Sequence, residues 1–225
     1  MTTEEFARTI ESTLLAASAT EKQVEALCRE AVEQRFHGVC VSPCRVKQAS
    51  FLLRGTPLRV VAVAGFPLGT QTAACKAREV AELVELGAHE VDAVMNVGAF
   101  LDGRLSPVAA ELREVRRAAE GAVLKVILET GYLTPDQVRE AASLAVGAGV
   151  DFLKTSTGFG PTGATVPDVR VLRQVAGTRC GVKAAGGIRS FDQARSLLAA
   201  GATRLGTSAG AQLAEEARRE LGEPG

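Results

Sequence analysis

The chain has 225 residues, 46% of them apolar and 23 of them glycine, enough to bury one large core, so one domain over residues 1–225 is expected. Its 26 Lys plus Arg balance 26 Asp plus Glu, which leaves no net field for nucleic acid or an acidic membrane surface and favours a small-molecule partner. Two acids in Met1-Thr2-Thr3-Glu4-Glu5, no apolar run of membrane-spanning length, and five cysteines without paired CxxC spacing predict a cytoplasmic protein with reduced thiols and argue against a disulfide framework.

Short apolar runs alternate with amphipathic stretches from end to end, the pattern of parallel strands joined by crossover helices. Strands are predicted over residues 9–13, 38–41, 59–64, 90–95, 124–129, 151–156, 181–185 and 204–207. Between the first two, Val24, Leu27, Cys28, Ala31 and Val32 keep the spacing of a helix face laid on a sheet. Later helices show start signals at Ser106 before Pro107, at Thr134 before Pro135 with Gln137, and at Ser190 with Gln193. Gly87, Gly147 and Gly201 are each expected to end a helix, a weak internal repeat of helix-to-strand units. Glu111, Arg113, Glu114, Arg116 and Arg117 read as the solvated face of a helix. Eight such units predict an α/β fold closed as a single (β/α)8 TIM barrel, with its chemistry at the carboxyl ends of the strands. A doubly wound open sheet is the alternative; its dinucleotide form would place GxGxxG after the first strand, where this chain has Glu11-Ser12-Thr13-Leu14-Leu15.

Two lysines stand where a free ammonium is unexpected. Lys154 lies in Asp151-Phe152-Leu153-Lys154-Thr155-Ser156-Thr157-Gly158, and Lys183 in Gly181-Val182-Lys183-Ala184-Ala185-Gly186-Gly187. Burial and a neighbouring ammonium both lower a lysine pKa, which yields a carbonyl nucleophile near neutral pH. In Glu90-Val91-Asp92-Ala93-Val94-Met95-Asn96, period-two alternation puts Asp92, Val94 and Asn96 on one face, making Asp92 a proton-shuttle candidate. The competing structural reading pairs both lysines with Asp92 or Glu129 inside the barrel. Lys125 is a rival nucleophile, but it lies near the start of its strand, away from the catalytic rim. Gly186-Gly187 with Ser190, and Gly206-Thr207-Ser208-Ala209-Gly210, lead from the last two strands into helices and suit a phosphate, with Gly158-Phe159-Gly160-Pro161-Thr162-Gly163 as a third wall. His37 and His89 fall at strand entrances and read as structural; Cys40 and Cys44 have too few companion ligands for a metal. No metal or cofactor is expected. On these residues alone a Schiff-base aldolase, a sugar-phosphate isomerase without covalent catalysis, and a sugar-phosphate-binding regulatory protein all remain open.

Leu124-Lys125-Val126-Ile127-Leu128-Glu129-Thr130-Gly131, Phe152-Leu153-Lys154-Thr155-Ser156-Thr157-Gly158-Phe159 and Val182-Lys183-Ala184-Ala185-Gly186-Gly187-Ile188-Arg189 together resemble deoxyribose-phosphate aldolase. Gly38-Val39-Cys40-Val41, Gly65-Phe66-Pro67-Leu68-Gly69, Glu90-Val91-Asp92 and Arg204-Leu205-Gly206-Thr207-Ser208 extend the likeness over nearly the whole chain. The resemblance implies a metal-free class I aldolase that cleaves 2-deoxy-D-ribose 5-phosphate to D-glyceraldehyde 3-phosphate and acetaldehyde in deoxyribonucleoside catabolism. It implies that Lys154 forms the Schiff base, that Asp92 and Lys183 move protons, and that Gly158, Gly186, Gly187, Arg189, Gly206 and Ser208 contact the phosphate. The implied partners are sugar phosphates and aldehydes; homo-oligomer formation is left open. Two departures stand out. The first strand reads Glu11-Ser12-Thr13 where members commonly have Asp-His-Thr or Asp-Leu-Thr, and the chain ends Leu221-Gly222-Glu223-Pro224-Gly225 without the terminal tyrosine of many members. Both bear on rate more than on reaction type.

Overall fold

A computed structural model describes residues 1–222. Glu223, Pro224 and Gly225, which bear on the missing terminal tyrosine, lie outside the described residues. Helix α1 (Thr3–Ala7) leads into β1 (Ile10–Leu14), followed by α2 (Glu21–Glu33), β2 (Gly38–Val41), α3 (Val46–Leu52), β3 (Arg59–Ala64), α4 (Ala73–Glu85) and β4 (Glu90–Val94). Helices α5 (Val97–Leu101) and α6 (Leu105–Ala118) precede β5 (Val123–Ile127). Then come α7 (Pro135–Gly147), β6 (Phe152–Lys154), α8 (Val166–Ala176), β7 (Gly181–Ala185), α9 (Phe191–Ala199), β8 (Arg204–Thr207) and α10 (Gly210–Leu221).

Each strand pairs in parallel with the next, and β1 returns to β8 through Ile10 opposite Leu205 and Glu11 opposite Gly206. The described residues therefore form a (β/α)8 TIM barrel rather than an open sheet. Strand residues facing outward, such as Val39, Val60, Val91, Val126 and Leu205, join the helices in one apolar layer. Inward-facing Cys40, Val61 and Val63 form a separate small cluster. The barrel interior also holds a cluster of charge: Glu11, Glu90, Asp92, Lys125, Lys154 and Lys183 are all buried. No helix among the described residues is long and apolar enough to cross a membrane.

Several boundaries differ from the sequence expectation for identifiable reasons. Strand β6 stops at Lys154 because the Thr155 hydroxyl donates to Ala185 O and accepts from Ala185 N, both at 3.1 Å, standing in for the next backbone rung. Strand β5 stops at Ile127, and Glu129 turns into the left-handed region at φ 53°. Thr134 and Gln137 make the capping box on α7, whereas α6 begins at Leu105 and Ser106 caps nothing. The left-handed residue after α7 is Gly149 at φ 81°, not Gly147, which is still helical. Val32 is exposed and Leu27 only partly buried, so α2 covers the sheet with a narrower face than its spacing suggests. Glu111 is not on a solvated face: it is buried and paired with Lys76 at 2.7 Å.

Candidate active site

Asp92 and Lys125 face each other across the β4–β5 ladder, and Lys154 faces Lys183 across β6–β7. Because alternate residues of a strand point inward, this register brings three lysines onto one carboxylate. Asp92 Oδ2 accepts from Lys154 Nζ at 2.7 Å and from Lys183 Nζ at 2.6 Å, while Oδ1 accepts from Lys125 Nζ at 2.9 Å. The cluster continues downward. Lys125 Nζ is 2.5 Å from Glu90 Oε2 and 3.5 Å from Glu11 Oε1; Lys183 is ion-paired to Glu11 Oε2; and His37 Nε2 lies 2.7 Å from Glu90 Oε1.

The partner count separates the three amines. Lys125 has Glu90 and Glu11 besides Asp92, and Lys183 has Glu11 besides Asp92, whereas Lys154 has Asp92 alone among the described residues. Their basicities follow. Burial would lower all three by stripping the ammonium of water. For Lys183 and Lys125 the attraction of Asp92 and Glu11 more than reverses that, and both rise above the ordinary lysine value. For Lys154 burial prevails over the pull of Asp92, helped by the ammonium of Lys183, and the pKa falls below 10.5. Burial likewise opposes ionisation of Asp92, but Lys125, Lys154 and Lys183 together hold it well below the carboxylate range. The arrangement therefore keeps Asp92 as a carboxylate and two lysines as ammoniums, and Lys154 is the member that gives up its proton most readily. Burial pushes the nearby Cys40 thiol up to about 11, which makes it a poor rival nucleophile at neutral pH.

Above this cluster opens a cleft of about 400 Å3, lined by Lys154, Gly158, Gly186, Gly187, Arg189, Gly206 and Ser208 together with Thr13, Thr157 and Thr207. Asp92 and Lys183 lie beneath it, out of direct contact with solvent. Gly186 and Gly187 have φ of 94° and 72°, conformations that favour glycine, and Gly163 packs against Gly186 so closely that a methyl there would sit 2.1 Å from its carbonyl oxygen. Gly206 does something the sequence did not suggest: a methyl there would lie 3.0 Å from Lys183 Cε, so this glycine clears space for the second lysine. Ser208, which lines the cleft, leads into α10, whose first turn carries no side-chain cap. Arg189, Gly158 and Ser208 are exposed at the rim.

The structure brings Lys154, Asp92 and Lys183 together at the barrel axis and sets Gly158, Gly186, Gly187, Arg189, Gly206 and Ser208 around the cleft above them, whereas Ser190 caps α9 and does not line the cleft. The structure does not join Glu129 to any lysine; that carboxylate binds Thr157 instead. Glu11 and Glu90 belong to the cluster, and the signal for both was period-two alignment with Thr13 and Asp92 on inward faces. His89 Nδ1 accepts from Val60 N at 3.0 Å and sits with His37 at the opposite mouth, both in structural roles. Glu11, His37 and Glu90 bring ligand atoms within 4.8 Å of one another, but the ammoniums of Lys125 and Lys183 already pair with the two carboxylates, a poor setting for a cation.

The family model described as DeoC/LacD family aldolase matches residues 7–213. A deoxyribose-phosphate aldolase of Carboxydothermus hydrogenoformans is 50% identical over 212 residues, covering 92% of this chain and 93% of its own. One of Deinococcus radiodurans is 48% identical over 204 residues, covering 91% and 93%. Among solved structures, the aldolase QR15 superposes with a TM-score of 0.92 at 40% identity over 97% of this chain and 99% of its own. The deoxyribose phosphate aldolase of Aeropyrum pernix, described as tetrameric, gives 0.89 at 34% identity over 95% and 91%.

Proposed function

The chain belongs to the DeoC/LacD aldolase family, and on that premise we infer that it is a class I aldolase reversibly cleaving 2-deoxy-D-ribose 5-phosphate to D-glyceraldehyde 3-phosphate and acetaldehyde, in deoxyribose phosphate catabolism. The observation that carries the assignment of roles is the partner count on Asp92: of the three lysines that reach this carboxylate, Lys154 alone lacks a second carboxylate among the described residues and alone lines the cleft.

The neutral Lys154 amine adds to the aldehyde carbon of the open-chain sugar, and loss of water leaves an iminium ion. Its positive nitrogen accepts the electron pair released when C2 separates from C3, as the C3 hydroxyl gives up its proton. Glyceraldehyde 3-phosphate departs, the resulting enamine is protonated at C2, and water hydrolyses the iminium to free acetaldehyde and the amine. Asp92, Lys183 and bound water carry these protons. Lys183, held as an ammonium by Asp92 and Glu11, also disfavours a second positive charge on Lys154. Gly158, Gly186, Gly187, Arg189, Gly206 and Ser208 surround the phosphate, directly or, for Gly206, by making room for Lys183.

Sugar phosphates and aldehydes are the partners of this reading, self-association is included in it, and we place the protein in the cytoplasm. A coupled assay for glyceraldehyde 3-phosphate released from deoxyribose 5-phosphate tests the activity. Release abolished by Lys154→Arg supports it, because a guanidinium cannot form the imine; the absence of release by the wild type would overturn it.

A further inference from the structure

Glu129 adopts a conformation that side-chain-bearing residues rarely take, with φ 53° and ψ 61°. The residue is 3% exposed, and its carboxylate has no ion-pair partner among the described residues. Each of its oxygens instead accepts from Thr157 N at 3.2 Å, and Oε2 also accepts from the Thr157 hydroxyl. That hydroxyl oxygen in turn accepts from Phe159 N at 3.0 Å. Gly160 presses on the same group: a methyl there would sit 2.8 Å from Glu129 Cδ. One carboxylate thus holds Thr157 directly, Phe159 through the Thr157 hydroxyl and Gly160 by packing, just beyond Lys154.

A strained backbone and a buried polar group without a cationic partner are both costs, and they persist where the surroundings impose them. The gripped segment explains what is gained. Thr157 and Phe159 line both the 400 Å3 cleft over Lys154 and a second, largely apolar cleft of about 270 Å3 bounded by Val94, Val97 and Leu101, so this segment is the partition between them. Gly158, at φ 88°, lies on the phosphate side, where a methyl would be 3.7 Å from Gly186 Cα. Moving the segment would change the distance between the two glycine loops that face the anion.

We propose that Glu129 is a positioning residue for phosphate recognition, acting through Thr157 to fix the Gly158–Phe159 segment against the Gly186 loop, and that it takes no part in the imine chemistry. The inference rests on the aldolase reading above. The test compares wild type and Glu129→Gln on deoxyribose 5-phosphate, on unphosphorylated 2-deoxyribose, and in borohydride trapping of the acetaldehyde imine. Glutamine offers one acceptor oxygen in place of two, and loss of a hydrogen bond to a charged group predicts an increase of about tenfold in KM for the phosphate ester. The KM for 2-deoxyribose, kcat and the extent of trapping should stay within about twofold on the same argument. Equal losses on both sugars, reduced trapping, or no change at all would overturn the proposal. Gly160→Ala, which drives a methyl toward the same carboxylate, should give the same split, and it decides the matter if Glu129→Gln does not fold. Wild type that traps no imine would instead sink the aldolase reading, leaving the two failures distinct.

Discussion

Two buried lysine–carboxylate pairs in this molecule have the same length and opposite fates. Lys76 to Glu111 and Lys154 to Asp92 are both 2.7 Å, with every partner largely shielded from water. Burial lowers the basicity of both amines, against the pull of their carboxylates. Yet Lys76 sits in α4 outside the barrel, where its Nζ also donates to Gly69 O at 3.2 Å and Glu111 Oε1 also accepts from Asn96 N at 3.2 Å. That pair ties the loop after β3 and the turn after β4 to α6. Lys154 opens onto a cleft, and its carboxylate is shared with two other ammoniums that stay charged. Low basicity alone therefore does not make a nucleophile; access and a shared proton acceptor do.

The comparison breaks most visibly on replacing the two lysines in turn. Lys154→Arg should abolish both turnover and imine trapping while leaving thermal unfolding near that of wild type, as measured by coupled assay and calorimetry. Asp92→Asn should reduce kcat/KM by roughly 10²- to 10⁴-fold, the range for a lost acid–base group. It should also move the pH dependence of imine formation. The neutral amine reacts, so the rate climbs as pH rises through the Lys154 pKa; removing the carboxylate that holds this pKa up shifts the climb to lower pH. Lys183→Met removes a charge that pushes the pKa down and should shift the climb to higher pH. Opposite shifts from the two variants, read by stopped-flow trapping, sharpen the account, and shifts in one direction would break it. Lys76→Met should leave the activity of folded enzyme within about twofold but destabilise the fold by about 3–5 kcal/mol in urea, because Glu111 is left buried without a cation. A second change, Glu111→Leu, should recover much of that loss.

Sequence pattern carried a good part of this. Period-two alternation sets Asp92 on one face of its strand, the apolar runs around Lys154 and Lys183 mark both amines as buried, and the glycine clusters after the last strands mark the cleft, because backbone conformation and side-chain direction are local properties. What escaped was set by geometry across strands. Lys125 lies low in its strand, which argues against it as a nucleophile, yet it anchors the other oxygen of Asp92 because the β4–β5 register sets the two residues directly opposite each other, and register between strands is not a local property of the sequence. The competing structural reading offers Glu129 beside Asp92 as a lysine partner; the left-handed turn at that residue places its carboxylate on Thr157 instead. Glu111 reads as solvated beside the charged Arg113 and Glu114, and only the packing of α6 on α4 brings it to Lys76.

Borohydride reduction in the presence of acetaldehyde, followed by peptide mapping of the intact enzyme, tests the central claim most directly, because Lys76, Lys125, Lys154 and Lys183 compete in one experiment. The account predicts an added two-carbon group on Lys154 and none on the other three. Modification of Lys125 or Lys183 with Lys154 untouched would contradict it.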